Sequence, residues 1–192
     1  MRILLVKPKA RLGTVLGLEA FSRLEPLELG YLAAAVPARH EVRVADLRLA
    51  RDPARTYARA LADVRPDLVG LTGYTHEGSS VKALARAARA ALPGVRIVVG
   101  GHHATVAPED FEESPVDGIV RGEGCAPFRA AVERLECGDG LEGIANLVVP
   151  GSATAGREVW PTFPDPAEMP EPRRDLWNPD DYRSVWVTEH AE

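Results

Sequence analysis

The sequence predicts an α/β protein in which helices cover both faces of a parallel sheet. Short apolar segments alternate with amphipathic segments of roughly ten to fifteen residues, the pattern of right-handed strand–helix–strand units. Four apolar segments end in glycine or polar residues, as parallel strands do where their carboxyl ends surround a ligand. Both observations predict a binding site at the carboxyl edge of a doubly wound sheet.

Each element follows from its local sequence. Apolar side chains fill the strands, proline or serine stands where helices begin, and glycine follows where two of them end. The sequence predicts five strands and lacks the second, glycine-rich nucleotide-binding half of a classical dinucleotide-binding fold. We therefore predict a flavodoxin-like (Rossmann-like) sheet of order 2-1-3-4-5. The predicted strands are Arg2–Val6, Glu41–Asp46, Leu68–Leu71, Arg96–Val99 and Gly118–Arg121, and the predicted helices are Leu27–Val36, Pro53–Val64, one from Ser79 or Ser80 to Leu92, Pro108–Glu113 and Pro127–Glu136.

The pattern changes in the last quarter of the chain. Asn146–Val149 and Arg157–Trp160 flank a Pro-Gly-Ser turn and predict a small hairpin. Prolines recur from Pro161 to Pro179, which excludes a core element and predicts an extended linker. Val185–Thr188 then begins what we interpret as a further strand.

Length and composition limit the class of protein. A chain of 192 residues can hold one domain and an appendage, which we place at residues 1–140 and 141–192. Hydrophobic residues make up 45% of the chain, and the net charge of −5 offers no basic surface to DNA or RNA. No apolar run reaches the ~18 residues of a membrane span and the chain opens on a strand, so we expect a cytoplasmic protein without signal peptide.

The edge residues exclude several common α/β sites. The first strand is followed by Lys7-Pro8-Lys9-Ala10-Arg11 in place of a GxGxxG dinucleotide motif, and the chain has no GxxxxGK phosphate loop. A receiver domain would need acidic residues after the first strand and an aspartate in the place of Thr72. The Ser/Thr-rich loop that binds FMN in a flavodoxin is also missing after the first strand. The site therefore belongs to another class.

Cys125 supports an alternative enzyme hypothesis. It lies between the fifth strand and a helix, a nucleophile-elbow position at which a helix N-terminus lowers a thiol pKa. With His102 or His103 as base, the chain would be a cysteine hydrolase or amidotransferase. No acid partner is evident, and Ala126-Pro127 follow in place of the required small residue. A non-catalytic interaction domain is a second alternative.

Metal ligation is not predicted. Cys125 and Cys137 are too few and too far apart for a zinc site or a disulfide scaffold. A histidine in a polar loop, such as His76, more often caps a helix or contacts solvent than binds a metal. The sequence has no CxxxCxxC motif and cannot hold that type of iron–sulfur cluster.

Four segments resemble the N-terminal cobalamin-binding domain of B12-dependent radical S-adenosylmethionine (SAM) enzymes. Their order and spacing match that family, and the resemblance covers residues 1–190. The proline-rich stretch, including Met169–Leu176, resembles the linker that leads into the radical SAM barrel. The four segments are Leu24–Ala33, Pro66–Thr72, Val99–Thr105 and Asp117–Gly124.

The resemblance implies a corrinoid at the carboxyl edge, with its flat benzimidazole tail in a slot beside Gly100 and Gly101. Related mutase-like domains supply an axial histidine from a DxHxxG motif that this chain lacks, so we expect base-off cobalamin without a histidine ligand. Cys125 stands where the family usually has a second glutamate. The implied cofactor contacts are Leu12, Gly13, Thr72, Gly73, Tyr74, Thr75, His76, Ser79, Gly100, Gly101, His102, His103, Gly122, Glu123 and Gly124.

The function implied by the resemblance is that of a cofactor-binding module of a radical SAM enzyme, with methyl transfer as the expected reaction. Its partners would be cobalamin and a radical SAM domain, which this chain does not contain. The iron–sulfur cluster and S-adenosylmethionine would be bound in that domain. We also expect a valine at Gly101 to remove cofactor binding more completely than stability.

Overall fold

The computed structural model describes residues 1–9, 22–152, 165 and 169–184. Within those ranges the strands are β1 Arg2–Lys7, β2 Ser22–Arg23, β3 Glu41–Asp46, β4 Leu68–Thr72, β5 Arg96–Gly100, β6 Gly118–Val120, β7 Leu147–Val148 and β8 Arg183–Ser184. The α-helices are α1 Leu27–Ala35, α2 Pro53–Val64, α3 Gly78–Ala91, α4 His102–Val106 and α5 Cys125–Glu136.

The main sheet has the order β3-β1-β4-β5-β6-β7. Its first five strands are parallel, and β7 is antiparallel to β6. Numbered along the chain, the sheet strands follow the order 2-1-3-4-5-6, so the predicted order is confirmed and a sixth strand extends it. The strand order reverses between β1 and β4, which makes their carboxyl ends a switch point, the usual place for a ligand.

The predicted hairpin differs from the structure in its first strand. Leu147 and Val148 lie within the predicted Asn146–Val149 segment, but they pair with β6 as an edge strand of the main sheet. The partner predicted at Arg157–Trp160 lies outside the described residues. Leu147 packs over Gly118, where a Cβ would lie 3.1 Å from its side chain, and this contact holds the short strand in place.

Two apolar clusters cover the two faces of the sheet. Alternate β1 residues divide between them: Leu4 and Val6 face α2 and α3, while Ile3 and Leu5 face α1 and α5. All four are at most 1% exposed, as expected for a parallel strand covered on both sides. Both faces of the sheet are therefore covered by helices, and the loops at the carboxyl ends of the strands are the part of the sheet that a ligand can reach.

The segment 169–184 packs against the domain. The Arg173 amide donates to the Gly30 carbonyl at 3.1 Å, and the Tyr182 hydroxyl donates to Asp46 at 3.1 Å. Trp177 covers Gly30 so closely that a Cβ there would lie 2.8 Å from its ring. The described part of the predicted linker is thus bound to α1. Its connection to a further domain stays a prediction, as does the strand at Val185–Thr188, which lies outside the described residues.

Candidate functional site

A cavity of about 260 Å³ lies at the carboxyl edge, between the sheet and helices α1 and α5. We call it the edge cavity. Its lining combines apolar side chains with glycines and a few polar residues. The lining residues are Glu28, Leu29, Tyr31, Leu32, Gly70, Leu71, Thr72, Val98, Gly100, Gly101, Val120, Gly122, Glu123, Gly124, Cys125, Phe128 and Met169.

Gly100 leaves the cavity wall without a side chain. Among the described residues, the atom nearest to a Cβ placed on it would be the Val120 Cβ at 3.6 Å, an ordinary contact. Its Cβ would point to the same face of β5 as Val98, another lining residue, because side chains alternate along a strand. The packing of the protein does not require glycine here. A side chain at this position would occupy the edge cavity itself.

Gly101 is glycine for a different reason. Its φ of +90° is one that L side chains rarely adopt. A Cβ would lie 2.5 Å from the Thr72 Oγ1 and 3.0 Å from the Gly73 amide nitrogen. The turn from β5 into α4 therefore needs glycine at this residue for the packing of the protein, with or without a ligand.

Three aromatic rings are exposed at the same edge, two on the segment after β4 and one at the start of α4. The Tyr74 ring lies 6.1 Å from the His76 ring, nearly parallel to it, and 6.1 Å from the His102 ring. The Lys7 Nζ lies 4.9 Å from the Tyr74 ring centroid and donates to Glu28 Oε1 at 2.6 Å. Lys7 is only 6% exposed, so this buried cation connects the ring cluster to the wall of the edge cavity.

The structure separates the predicted site residues. Thr72, Gly100, Gly101, Gly122, Glu123 and Gly124 line the edge cavity, whereas Tyr74, Thr75, His76, Ser79 and His102 are exposed on the segment after β4 and in the first turns of α3 and α4. Gly73 is buried, and a Cβ there would lie 2.8 Å from Val81. Leu12 and Gly13 lie outside the described residues.

His103 is buried in the core and away from the edge cavity. It is 5% exposed, its Nε2 lies 3.0 Å from Asp110 Oδ2, and its ring packs edge-on against Phe111 at 5.4 Å. A Cβ on Gly78 would lie 2.6 Å from the ring. This position gives His103 a structural role, and we leave it out of the contact set proposed below.

The apolar walls were not among the predicted contacts. Leu29 and Leu32 come from α1, Phe128 from α5, and Val98 and Val120 from the sheet. Strand alternation could have identified Val98, because it stands two residues before Gly100 and shares its face. The helix residues carried no signal that distinguishes a cavity wall from ordinary core.

Cys125 also lines the edge cavity, and its surroundings keep its thiol protonated and therefore poorly nucleophilic. Burial is the main cause that raises the pKa of its thiol, to about 12, and a hydrogen bond with Glu123 raises it further. The Cys125 amide donates to Glu123 Oε1 at 2.7 Å. Because the folded-state pKa lies far above neutral pH, the thiol is protonated there and is a poor nucleophile.

Alkylation tests this state. With iodoacetamide at neutral pH we expect the exposed Cys137 to be modified and Cys125 to react at least about a hundredfold more slowly, because thiolate is the reactive form. Peptide mass spectrometry over time measures both rates in one sample, and a Cys137→Ser variant isolates Cys125. If Cys125 reacted as fast as Cys137, the cysteine-hydrolase hypothesis would regain support.

Other features of the described residues add no second site of this kind. A groove of about 740 Å³ between α2 and α3 contains none of the predicted contacts, and alanine is the most frequent residue in its lining. No cluster of three metal-ligating side chains occurs in the described ranges. Among the helices described, none is long and apolar enough to cross a membrane.

Two curated proteins resemble this sequence over almost its whole length. A methyltransferase of Pyrococcus horikoshii, itself uncharacterized, is 33% identical over 193 residues, which cover 97% of this chain and 41% of the relative. The hopanoid C-3 methylase of Methylococcus capsulatus is 30% identical over 181 residues, which cover 92% of this chain and 33% of that relative. The chain therefore spans less than half the length of these relatives.

Solved structures and a family model agree with those relatives. The radical SAM methyltransferase TsrM from Kitasatospora setae, with cobalamin and a [4Fe–4S] cluster bound, aligns with a TM-score of 0.64 and 21% identity over 77% of this chain and 27% of TsrM. A TsrM structure with tryptophan and a SAM analogue gives the same score. The model of the B12 binding domain matches residues 13–132, well over half of the sequence. The resemblance seen in the sequence is thus confirmed, and the chain belongs to the B12-binding domain family.

Proposed function

We propose that this chain binds cobalamin in the base-off form and serves as the cofactor-binding part of a longer radical SAM methyltransferase. The observation that carries the proposal is Gly100, which opens the wall of the edge cavity although none of the described residues near it requires glycine there. A flat base can enter only where side chains are missing. The names of the two relatives, both methyltransferases, support methyl transfer as the reaction.

The side chains of the site fit both the aromatic base of the cofactor and its polar groups. The apolar walls of the edge cavity suit a flat aromatic base, while Thr72, Thr75 and Ser79 offer hydroxyls to phosphate, ribose or corrin amides. Tyr74, His76 and His102 form a group of exposed rings that would contact the corrin. When bound, cobalamin would supply methyl transfer at its cobalt; the residues of this chain would bind it, orient its tail and exclude water from its base.

The absence of a histidine ligand is part of the proposal. The segment Lys7 to Gly13, which follows β1, contains no histidine. The end of β1 instead carries the Lys7 ammonium, which is paired with Glu28 and has no lone pair to give to a metal. We therefore expect the lower face of the cobalt to have no imidazole from this loop.

Co-elution tests the proposal. After incubation with hydroxocobalamin and desalting, we expect cobalamin in the protein fraction at close to one equivalent. Recovery of all cobalamin in the late, free fraction would contradict the proposal and favour the interaction-domain hypothesis.

A substitution of His76 tests the ligand question separately. Because His76 is exposed and stacks only on Tyr74, we expect His76→Ala to retain cobalamin with an unchanged absorption spectrum. His102→Ala is the matched control at the same ring cluster. A shift of the cobalt absorption bands in the His76 variant alone would make His76 a ligand and overturn this part of the proposal.

A further inference from the structure

The inner end of the edge cavity carries apolar side chains. Leu29, Val98 and Phe128 line it and are each at most 2% exposed, and Gly70 is buried beside them. Gly70 and Val98 stand two residues before Thr72 and Gly100, so this end lies roughly 6 to 7 Å below the carboxyl edge of the sheet.

Two carboxylates of the lining are already engaged, and the Thr72 hydroxyl stands at the carboxyl end of β4, where the proposed function assigns it to phosphate, ribose or corrin amides. Glu123 accepts the Cys125 amide, and Glu28 accepts the Lys7 ammonium. Val98 and Gly70 are partners in the β4–β5 ladder, so their backbone groups are used within the sheet. Cys125 offers only a neutral thiol, a weak donor. The described residues thus give the far edge of an inserted base little to hydrogen-bond with.

We propose that the edge cavity selects corrinoids by their lower base, accepting one whose far edge is hydrocarbon, such as dimethylbenzimidazole, and discriminating against adenine. The inference rests on the proposed function and deepens it. Adenine carries an amino group and ring nitrogens on that edge, and burying them unpaired loses the hydrogen bonds that they make in water. A site built from apolar walls therefore favours a base without such groups.

Equilibrium binding of three corrinoids tests the inference. The probes are cobalamin, its analogue with adenine as lower base, and cobinamide, which has no nucleotide. We expect cobalamin to bind at least about tenfold more tightly than either of the other two, since an unpaired buried polar group or an unfilled cavity each costs affinity.

The outcomes separate the inference from the proposed function. Equal affinity for cobalamin and the adenine analogue would overturn the inference while leaving cobalamin binding intact. Equal affinity for cobalamin and cobinamide would also overturn it, because the cavity would then not hold the base. Failure of all three to bind would overturn the proposed function itself.

Two near-isosteric variants test whether the inner end of the edge cavity causes the preference for cobalamin over the adenine analogue. Val98→Thr places a hydroxyl at the inner end, and we expect it to reduce the preference for cobalamin over the adenine analogue at least about threefold, because a donor and acceptor are now within reach. Val99→Thr is the control, since Val99 is equally buried but belongs to the cluster on the opposite face. An unchanged preference in folded Val98→Thr, or an equal change in Val99→Thr, would overturn the assignment to the inner end.

Discussion

Valine at Gly100 is expected to remove cobalamin retention while the domain stays folded. The added Cβ meets Val120 only at 3.6 Å, and a β-branched residue suits a strand, so the fold tolerates the change. The two methyl groups project into the edge cavity beside Val98. We expect roughly a 10- to 100-fold loss of affinity, the effect of 1–3 kcal/mol of overpacking, measured by equilibrium dialysis.

Gly94 provides the matched control for Gly100. It is exposed and lies just before β5, at the opposite end of the strand, and a Cβ there would have no atom of the described part of the chain within 4 Å. Gly94→Val should bind cobalamin as the unmodified chain does. Thermal unfolding of all three proteins shows whether they are folded. A folded Gly100→Val protein that retains cobalamin fully would show that the ligand does not occupy the space beside Gly100 in the edge cavity.

Valine at Gly101 is expected to destabilise the whole domain. The backbone of Gly101, with φ +90° and ψ −171°, lies in a region that is essentially open only to glycine and costs another residue about 1–3 kcal/mol. The contacts at 2.5 Å with Thr72 Oγ1 and 3.0 Å with the Gly73 nitrogen add an overpacking cost of about 1–3 kcal/mol. Their sum is a large part of the ~5–15 kcal/mol by which domains are stable. Urea unfolding of Gly101→Val should therefore show a markedly lower free energy of unfolding.

Alanine provides a graded comparison at Gly101. Gly101→Ala has the same Cβ clash without the extra methyl groups, so its free energy of unfolding should lie between those of valine and glycine. Gly101→Val with unchanged stability would mean that the turn is not built as described. From the sequence alone we expected valine here to affect binding more than folding; the contacts of a Cβ with Thr72 and Gly73 now lead us to expect the larger effect on folding.

The strand order could be predicted because its signals are repeated along the chain. The parallel strands β1, β4, β5 and β6 are mostly buried and apolar, and β3, at the edge of the sheet, alternates apolar and charged residues. Helical periodicity marks the crossovers between them. The strand β7 has only two residues, too few for any alternation to be recognised. Its place depends on the contact of Leu147 with Gly118, which is distant in sequence.

His102 and His103 are a second case in which the sequence alone was not sufficient, this time within the site. Sequence analysis treated His102 and His103 as equal candidates, because both follow the glycines. They are adjacent on the short helix α4, where neighbouring side chains point about 100° apart, so only one could face the edge. The contact of His103 with Phe111 and Asp110 decides which one is buried, and that contact required the structure.

The edge cavity itself was predicted only from its glycines. Leu29 and Phe128 show the apolar periodicity of any core-facing helix residue, and nothing in that pattern shows where two helices leave space between them and the sheet. Gly100 was among the local signs of the cavity, since it ends the apolar face of β5 without a side chain.

The absorption spectrum of methylcobalamin bound to this chain tests the central claim most directly. At neutral pH free methylcobalamin is in its base-on form, and insertion of the base into the edge cavity must separate it from the cobalt. We predict that the retained cofactor shows the base-off spectrum that free methylcobalamin shows only in acid. Retained cofactor with the base-on spectrum of the free compound at the same pH would contradict the account, because the tail would then lie outside the edge cavity.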